Sequence, residues 1–114
     1  SLMPAEITGD RDLLFQGFAN ILDNAVKYAP QGGKIIASIK ITGEEKIIEI
    51  MDNGPGLPKQ DLERIFERFY RSESSRSTEG TGLGLSLTAA IIGLHGGQIY
   101  AENKQQGFSI ITVL

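Results

Sequence analysis

The chain has 114 residues, 40% of them hydrophobic and 22% charged, which is enough for one ordinary domain with one apolar core. A net charge of −3 and a pI near 5.1 argue against a nucleic-acid surface, and no apolar run approaches the ~20 residues of a membrane span. There is no cysteine, which excludes disulfides and thiolate metal sites and fits a reducing compartment; no signal peptide is visible.

Residues 1–9 read as a lead-in, with an edge strand expected near Glu6-Ile7-Thr8. Asp10 is placed to cap a helix over about 11–28, because its carboxylate can accept orphan backbone N–H groups. Leu14, Phe18, Ile21, Leu22 and Ala25 recur at helical spacing and are expected to form its buried face. Pro30 and Gly32-Gly33 end it. Residues 34–42 alternate around Ile35, Ala37, Ile39 and Ile41 and read as a strand. A short turn at Gly43-Glu44-Glu45 leads to a second, Ile-rich strand over 46–51.

Residues 53–82 differ in character, with prolines, glycines and a Ser-rich run over 72–80. A short helix is expected around Gln60–Phe66, and the long stretch reads as a segment that closes over a ligand. A second long helix starts near Leu83 and stops at His95 before Gly96-Gly97. A closing hairpin follows, with strands at about 98–103 and 108–114. This order predicts a two-layer α/β (α+β) sandwich, with helices on one side of a largely antiparallel sheet.

Three pieces carry chemistry. On the first helix Asn20, Asn24 and Lys27 share a narrow arc, with Tyr28 at its edge. A carboxamide oxygen is a neutral hard ligand suited to Mg²⁺, and a lysine can meet phosphate as a point charge; a solvated helix face is the alternative. Asp52 ends a strand and precedes Asn53-Gly54-Pro55-Gly56. Its carboxylate can accept from an exocyclic amino group, which adenine has, while the glycines permit φ > 0 and close approach of a flat ring; a plain β-turn is the alternative. Gly80-Thr81-Gly82-Leu83-Gly84-Leu85 opens a helix, where backbone N–H groups and the helix dipole favour phosphate. Its spacing fits neither a dinucleotide fingerprint nor a P-loop. The single histidine, His95, is expected to cap helix carbonyls. Phe66, Phe69 and Tyr70 are expected to anchor the long stretch to the core, with Arg71 rather than Arg68 placed to reach a γ-phosphate.

In this order, with Ile65–Arg71 between the last two, the motifs resemble the catalytic and ATP-binding domain of two-component sensor histidine kinases, in the wider group shared with gyrase, the Hsp90 chaperones and MutL. Residues 20–28 match the N box, 52–56 the G1 box, 65–71 the F box and 80–85 the G2 box. Departures are Glu79 in place of a further glycine, and Gln106-Gly107-Phe108-Ser109 in place of Gly-x-Gly-Thr. The resemblance covers about residues 6–114 and implies one domain of the Bergerat fold: a mixed, mostly antiparallel sheet of about five strands packed on three helices, with a flexible ATP lid at about 57–82.

It also implies roles. ATP and Mg²⁺ are the expected cofactors, with Asn24 as metal ligand and Asn20 and Lys27 on the phosphates. Tyr28 lines the site, Asp52 reads adenine, and Gly54 and Gly56 make room for the base. Gly80, Thr81, Gly82, Leu83, Gly84 and Leu85 carry the lid onto the triphosphate. Asn24, Lys27 and Arg71 are the expected catalytic set. No His-Glu-x-x-x-Pro-like segment occurs, so the acceptor histidine is expected on a separate helical domain, in cis or in trans, with a response-regulator aspartate as the onward partner. Neither nucleic acid nor membrane contact is expected of this domain. The location is expected to be cytoplasmic, within a homodimeric full-length kinase for which an inner-membrane anchor is one alternative. A gyrase- or MutL-type ATPase clamp and a nucleotide-binding regulatory module are the competing classes; the F box and the intact metal and phosphate residues argue against them.

Overall fold

The computed structural model describes residues 7–30, 32–68, 70, 84–105 and 107–114. Helix α1 (Arg11–Tyr28) is followed by strands β1 (Ile35–Thr42) and β2 (Glu45–Asp52), helix α2 (Gly84–Leu94), and strands β3 (Gln98–Lys104) and β4 (Gly107–Val113).

Asp10 caps α1 as expected, its Oδ1 accepting from Leu13 N–H at 3.0 Å. The helix ends where Ala29 turns extended ahead of Pro30, whose ring disfavours helical geometry in the preceding residue. Gly17, Ile21 and Ala25, four residues apart, form the buried line. Leu22 does not belong to that face: it lies ~100° round from Ile21 and is 42% exposed, on the flank where Phe15 and Val26 also face solvent.

The sheet order is β1-β2-β4-β3, and every pairing is antiparallel. The two-residue loop Gly43–Glu44 joins β1 to β2, with Gly43 at φ +61°. The layers match the expected sandwich, with three differences. Among the described residues the sheet has four strands and no parallel pair, not a mixed five. Ile7 and Thr8 form no strand, and the chain there is tied to a helix instead: Asp10 N–H donates to His95 Nε2 at 2.9 Å. Glu6 lies outside the described residues. Where a short helix is expected around Gln60–Phe66 there are two single 3-10 turns, Lys59–Asp61 and Arg64–Phe66. Their bonds run from Asp61 N to Pro58 O and from Glu67 N to Arg64 O, the i to i+3 pattern of a segment too short to nucleate an α-helix.

Ile21 and Ala25 of α1 pack on Ile50, Phe108 and Ile110 of the sheet, with Ile65 from the second 3-10 turn closing the cluster. Phe66 and Tyr70 pack against it, as the anchoring role requires; Phe69 lies outside the described residues. Strand β1 departs from expectation. Ile35, Ala37, Ile39 and Ile41 share the face of Ile50, yet all are exposed, Ile39 at 59%. β1 is an edge strand, and α1 lies over β2 rather than over it.

The two helices meet where Gly17 has no side chain, so the Thr88 and Ile91 methyls lie 3.6–3.7 Å from the position its Cβ would take. The fully buried Thr88 hydroxyl is within hydrogen-bond reach of Gly84 O at 3.0 Å and Gly17 O at 3.2 Å. His95 completes the clamp at the other end of α2. Its Nε2 accepts from Asp10 N–H, so the ring proton sits on Nδ1, which donates to Ile91 O at 2.7 Å. The lone histidine is therefore a structural tie between α1 and α2, as its place at the helix end implied.

Candidate nucleotide-binding site

The end of β2 delivers Asp52 onto the helix-facing side of the sheet, beside Phe108 of β4 and, one strand further, Asn103 of β3. Asp52 is 3% exposed, and its Oδ1 accepts from Gly54 N–H at 2.7 Å. Burial pushes its carboxyl above the usual value of 3.8, and the Gly54 hydrogen bond partly opposes that rise. A buried carboxylate at a strand end, beside a glycine turn, is the arrangement expected of a group that meets a ligand rather than solvent.

The turn after Asp52 is held on three sides. Asn53 Oδ1 accepts from Lys34 N–H at 3.0 Å, tying the turn to the start of β1. A Cβ on Gly54 would fall 2.7 Å from Tyr28 O and 2.8 Å from Asp52 Oδ1, so this glycine lets the last turn of α1 abut the carboxylate. Asn103 Oδ1 accepts from Leu57 N–H at 3.0 Å, while its Nδ2 donates to Leu57 O at 2.7 Å. Of the two motif glycines only Gly56 has positive φ, +76°. Gly107 gives β4 its close approach, since a Cβ there would lie within van der Waals overlap of the Asp52 carbonyl.

Helix α1 links this turn to the start of α2. Asn20 Nδ2 donates to Gly84 O at 3.2 Å, at the first residue of α2, while Tyr28 O sits against Gly54. Eight residues of helix, ~12 Å at 1.5 Å each, separate those two contacts, and Asn24 lies midway between them. Lys27 pairs with Asp23 at 3.2 Å across one turn of the exposed side, an ion pair that a stronger anion can displace. Tyr28 and Asn24 are half-buried, and Leu85 packs against the core as the helix begins. Thus Asn20 and Gly84 meet at one end of this stretch of α1 and Tyr28, Asp52 and Gly54 at the other, with Asn24 and Lys27 on the helix between; Gly56 follows in the same turn, and Leu85 is the second residue of α2. Arg71, Gly80, Thr81, Gly82 and Leu83 lie outside the described residues.

The first part of the expected lid is packed down. Ile65 is buried, Tyr70 OH donates to Asp61 Oδ1, and the Arg64 guanidinium stacks 4.6 Å above the Tyr70 ring. That hydrogen bond is the main cause of a raised Tyr70 pKa. A cavity of about 510 Å³, lined by Lys34, Ile36, Met51, Asp52, Asn53, Lys104 and Gln105, adjoins the end of β2 and reaches the sheet face opposite α1 through Ile36, Met51 and Lys104.

The donor chemistry suits Mg²⁺ carried in with phosphate. Asn24 offers one accessible neutral oxygen, and the described residues hold no cluster of three His, Cys, Asp or Glu side chains that would cage an ion unaided.

Asn103 and Asn53 were not singled out from the sequence. Asparagine is depleted in strands, so an Asn one residue from the end of β3 was the available signal.

Helices on one face of an antiparallel sheet, with a buried carboxylate turn meeting an asparagine helix, define the Bergerat class of ATP-binding domain. The chain belongs to the histidine kinase-, DNA gyrase B- and HSP90-like ATPase family, whose profile matches residues 9–114. It is 40% identical over 107 residues to the sensor histidine kinase WalK of Bacillus subtilis (strain 168), covering 90% of this chain and 18% of WalK. Among solved structures, the mycobacterial sensor histidine kinase MprB superposes with a TM-score of 0.89 at 36% identity, over 95% of this chain and 75% of that one. Full-length ShkA, solved in complex with AMPPNP, superposes at 0.79 with 28% identity, over 94% of this chain and 22% of that one. The chain therefore spans about a fifth of the length of WalK and of ShkA.

Proposed function

We propose that this domain binds Mg-ATP and presents its γ-phosphate to a histidine on a separate helical domain, from which the phosphoryl group passes to a response-regulator aspartate. The observation that carries the reading is the line along α1: Asn20 at the start of α2, Asn24 midway, and Tyr28 against the Asp52–Gly56 turn. The family's ATPase description and the AMPPNP complex of ShkA support nucleotide use.

Asp52 accepts the adenine amino group on the carboxylate oxygen not engaged by Gly54, and the turn forms one wall of the base site. Asn24 would supply the protein oxygen to Mg²⁺, which would offset charge on the triphosphate. Lys27 exchanges Asp23 for a phosphate oxygen, and Asn20 lies at the phosphate end. Arg71 and the glycine run over 80–84 are assigned to the γ-phosphate side. Because orientation and charge neutralisation supply most of the rate in phosphoryl transfer, the domain alone turns over slowly, and the acceptor imidazole completes the reaction. No helix among the described residues is long and apolar enough to cross a membrane.

The test mixes this chain with a separately produced acceptor-helix domain of a histidine kinase and γ-labelled ATP. Label on the acceptor that is stable to base and labile to acid supports a histidine kinase. ATP binding without transfer to any acceptor offered would favour a regulatory nucleotide module.

A further inference from the structure

Asn103 lies two strands from Asp52 on the same cross-sheet row, with Phe108 between them. The chain leaving Asp52 passes close to Gly107 of β4, and Asn103 catches it at Leu57. One carboxamide serves both backbone groups of one residue, accepting from Leu57 N–H at 3.0 Å and donating to its carbonyl at 2.7 Å. This reproduces with a side chain the paired bonds that a neighbouring strand would give, for a segment that belongs to no strand. The clamp also accounts for part of the motif's composition. A Cβ on Gly56 would stand 2.5 Å from Asn103 Oδ1, so any other residue at 56 collides with the clamp as well as straining a backbone at φ +76°.

We propose that Asn103 is a positioning residue for base recognition: by pinning Leu57 it holds the 53–57 turn in its ligand-ready form, and so sets the preference for adenine over guanine. Guanine presents a different donor and acceptor edge, which a turn of fixed shape rejects and a loose one tolerates. The inference rests on the reading that Asp52 meets the adenine amino group. Asn103 is itself exposed, so its truncation opens no cavity, and its effect on binding can be separated from its effect on folding.

The experiment compares wild type with Asn103→Ala and Asp52→Asn. Calorimetry with Mg-ATP and Mg-GTP is combined with amide hydrogen exchange at Leu57 and thermal melting. Asn103→Ala should speed exchange at Leu57, weaken ATP by roughly 5- to 150-fold, the range expected for two lost hydrogen bonds, and narrow the ATP:GTP preference. Its melting midpoint should fall by no more than two lost hydrogen bonds account for, the domain should stay folded at 25 °C, and the Mg²⁺ dependence of ATP binding should persist. Faster exchange at Leu57 with an unchanged ATP:GTP ratio would make Asn103 merely structural and overturn the proposal; unchanged exchange would overturn it too, by denying the clamp. If Asp52→Asn abolishes the base preference while Asn103→Ala does not, only this inference fails. If Asp52→Asn also leaves the preference intact, the adenine reading itself has failed.

Discussion

Replacing Asp52 by asparagine should move stability and affinity in opposite directions, and the structure says why. Burial raises the Asp52 pKa, so the native protein holds this proton to higher pH than the unfolded chain does. The contribution of Asp52 to stability is thus fully present below the unfolded value of 3.8 and is lost as pH rises through the raised native value. At neutral pH the apo protein carries a buried charge with one backbone hydrogen bond, and a neutral amide relieves it. Gains from relaxing such functional compromises run at about 0.5–2 kcal/mol, which is several degrees in melting temperature for a domain of this size. The gap between variant and wild type should open as pH rises from about 4, the ordinary carboxylate region, and close below it.

Binding should suffer because Gly54 decides how the new amide sits. The Gly54 N–H donates across 2.7 Å and requires the amide oxygen at that position, which turns the NH₂ toward the ligand. Donor then faces the adenine donor. Loss of a hydrogen bond to a charged acceptor is worth about 1.5–3 kcal/mol, so ATP affinity should fall roughly 10- to 150-fold. Calorimetry with Mg-ATP at pH 7, and melts of the apo protein from pH 4 to 8, read both effects. A variant with unchanged ATP affinity and a lower melting temperature would refute the argument.

Other substitutions separate the remaining roles. Asn24→Ala should abolish the gain in ATP affinity on adding Mg²⁺ while leaving metal-free binding near wild type, as read by titration with and without chelator. His95→Ala removes the bridge between Asp10 N–H and Ile91 O and should cost about 1–3 kcal/mol in urea unfolding, with ATP affinity per folded molecule unchanged. Thr88→Val keeps the buried shape but loses the hydroxyl between Gly17 O and Gly84 O, for about 1 kcal/mol. Gly56→Ala should be costly in wild type and less so in an Asn103→Ala background, because one of its two penalties is the collision with Asn103.

Local chemistry made much of this domain legible in the sequence. Asp10 and Pro30 bound α1 within a residue, Gly43 sets the hairpin, and Gly96-Gly97 stop α2, because caps and turns depend on residues adjacent in sequence. Asp52 at a strand end before its glycines was visible for the same reason. Periodicity finds faces but not what covers them, which is why Ile39 proved exposed, and it sets a stripe's edge loosely, which is why Leu22 fell outside the buried line. Contacts between distant segments left no local trace: Asn20 reaches Gly84 across 64 residues and Asn103 reaches Leu57 across 46. Ile7 and Thr8, both β-branched, read as strand, but the neighbouring backbone is claimed by His95.

The claim at the centre is that a nucleotide lies along α1 with its base at the Asp52 turn and its phosphates toward α2. Titrating isotope-labelled protein with Mg-ATP and following backbone amides by NMR tests it most directly. Saturable shifts at residues 20–28, 52–57 and 84–85, with the outer-face residues Lys40 and Glu102 still, are the predicted result. A folded protein whose amides at 20–28 and 52–57 stay in place at millimolar Mg-ATP would contradict it.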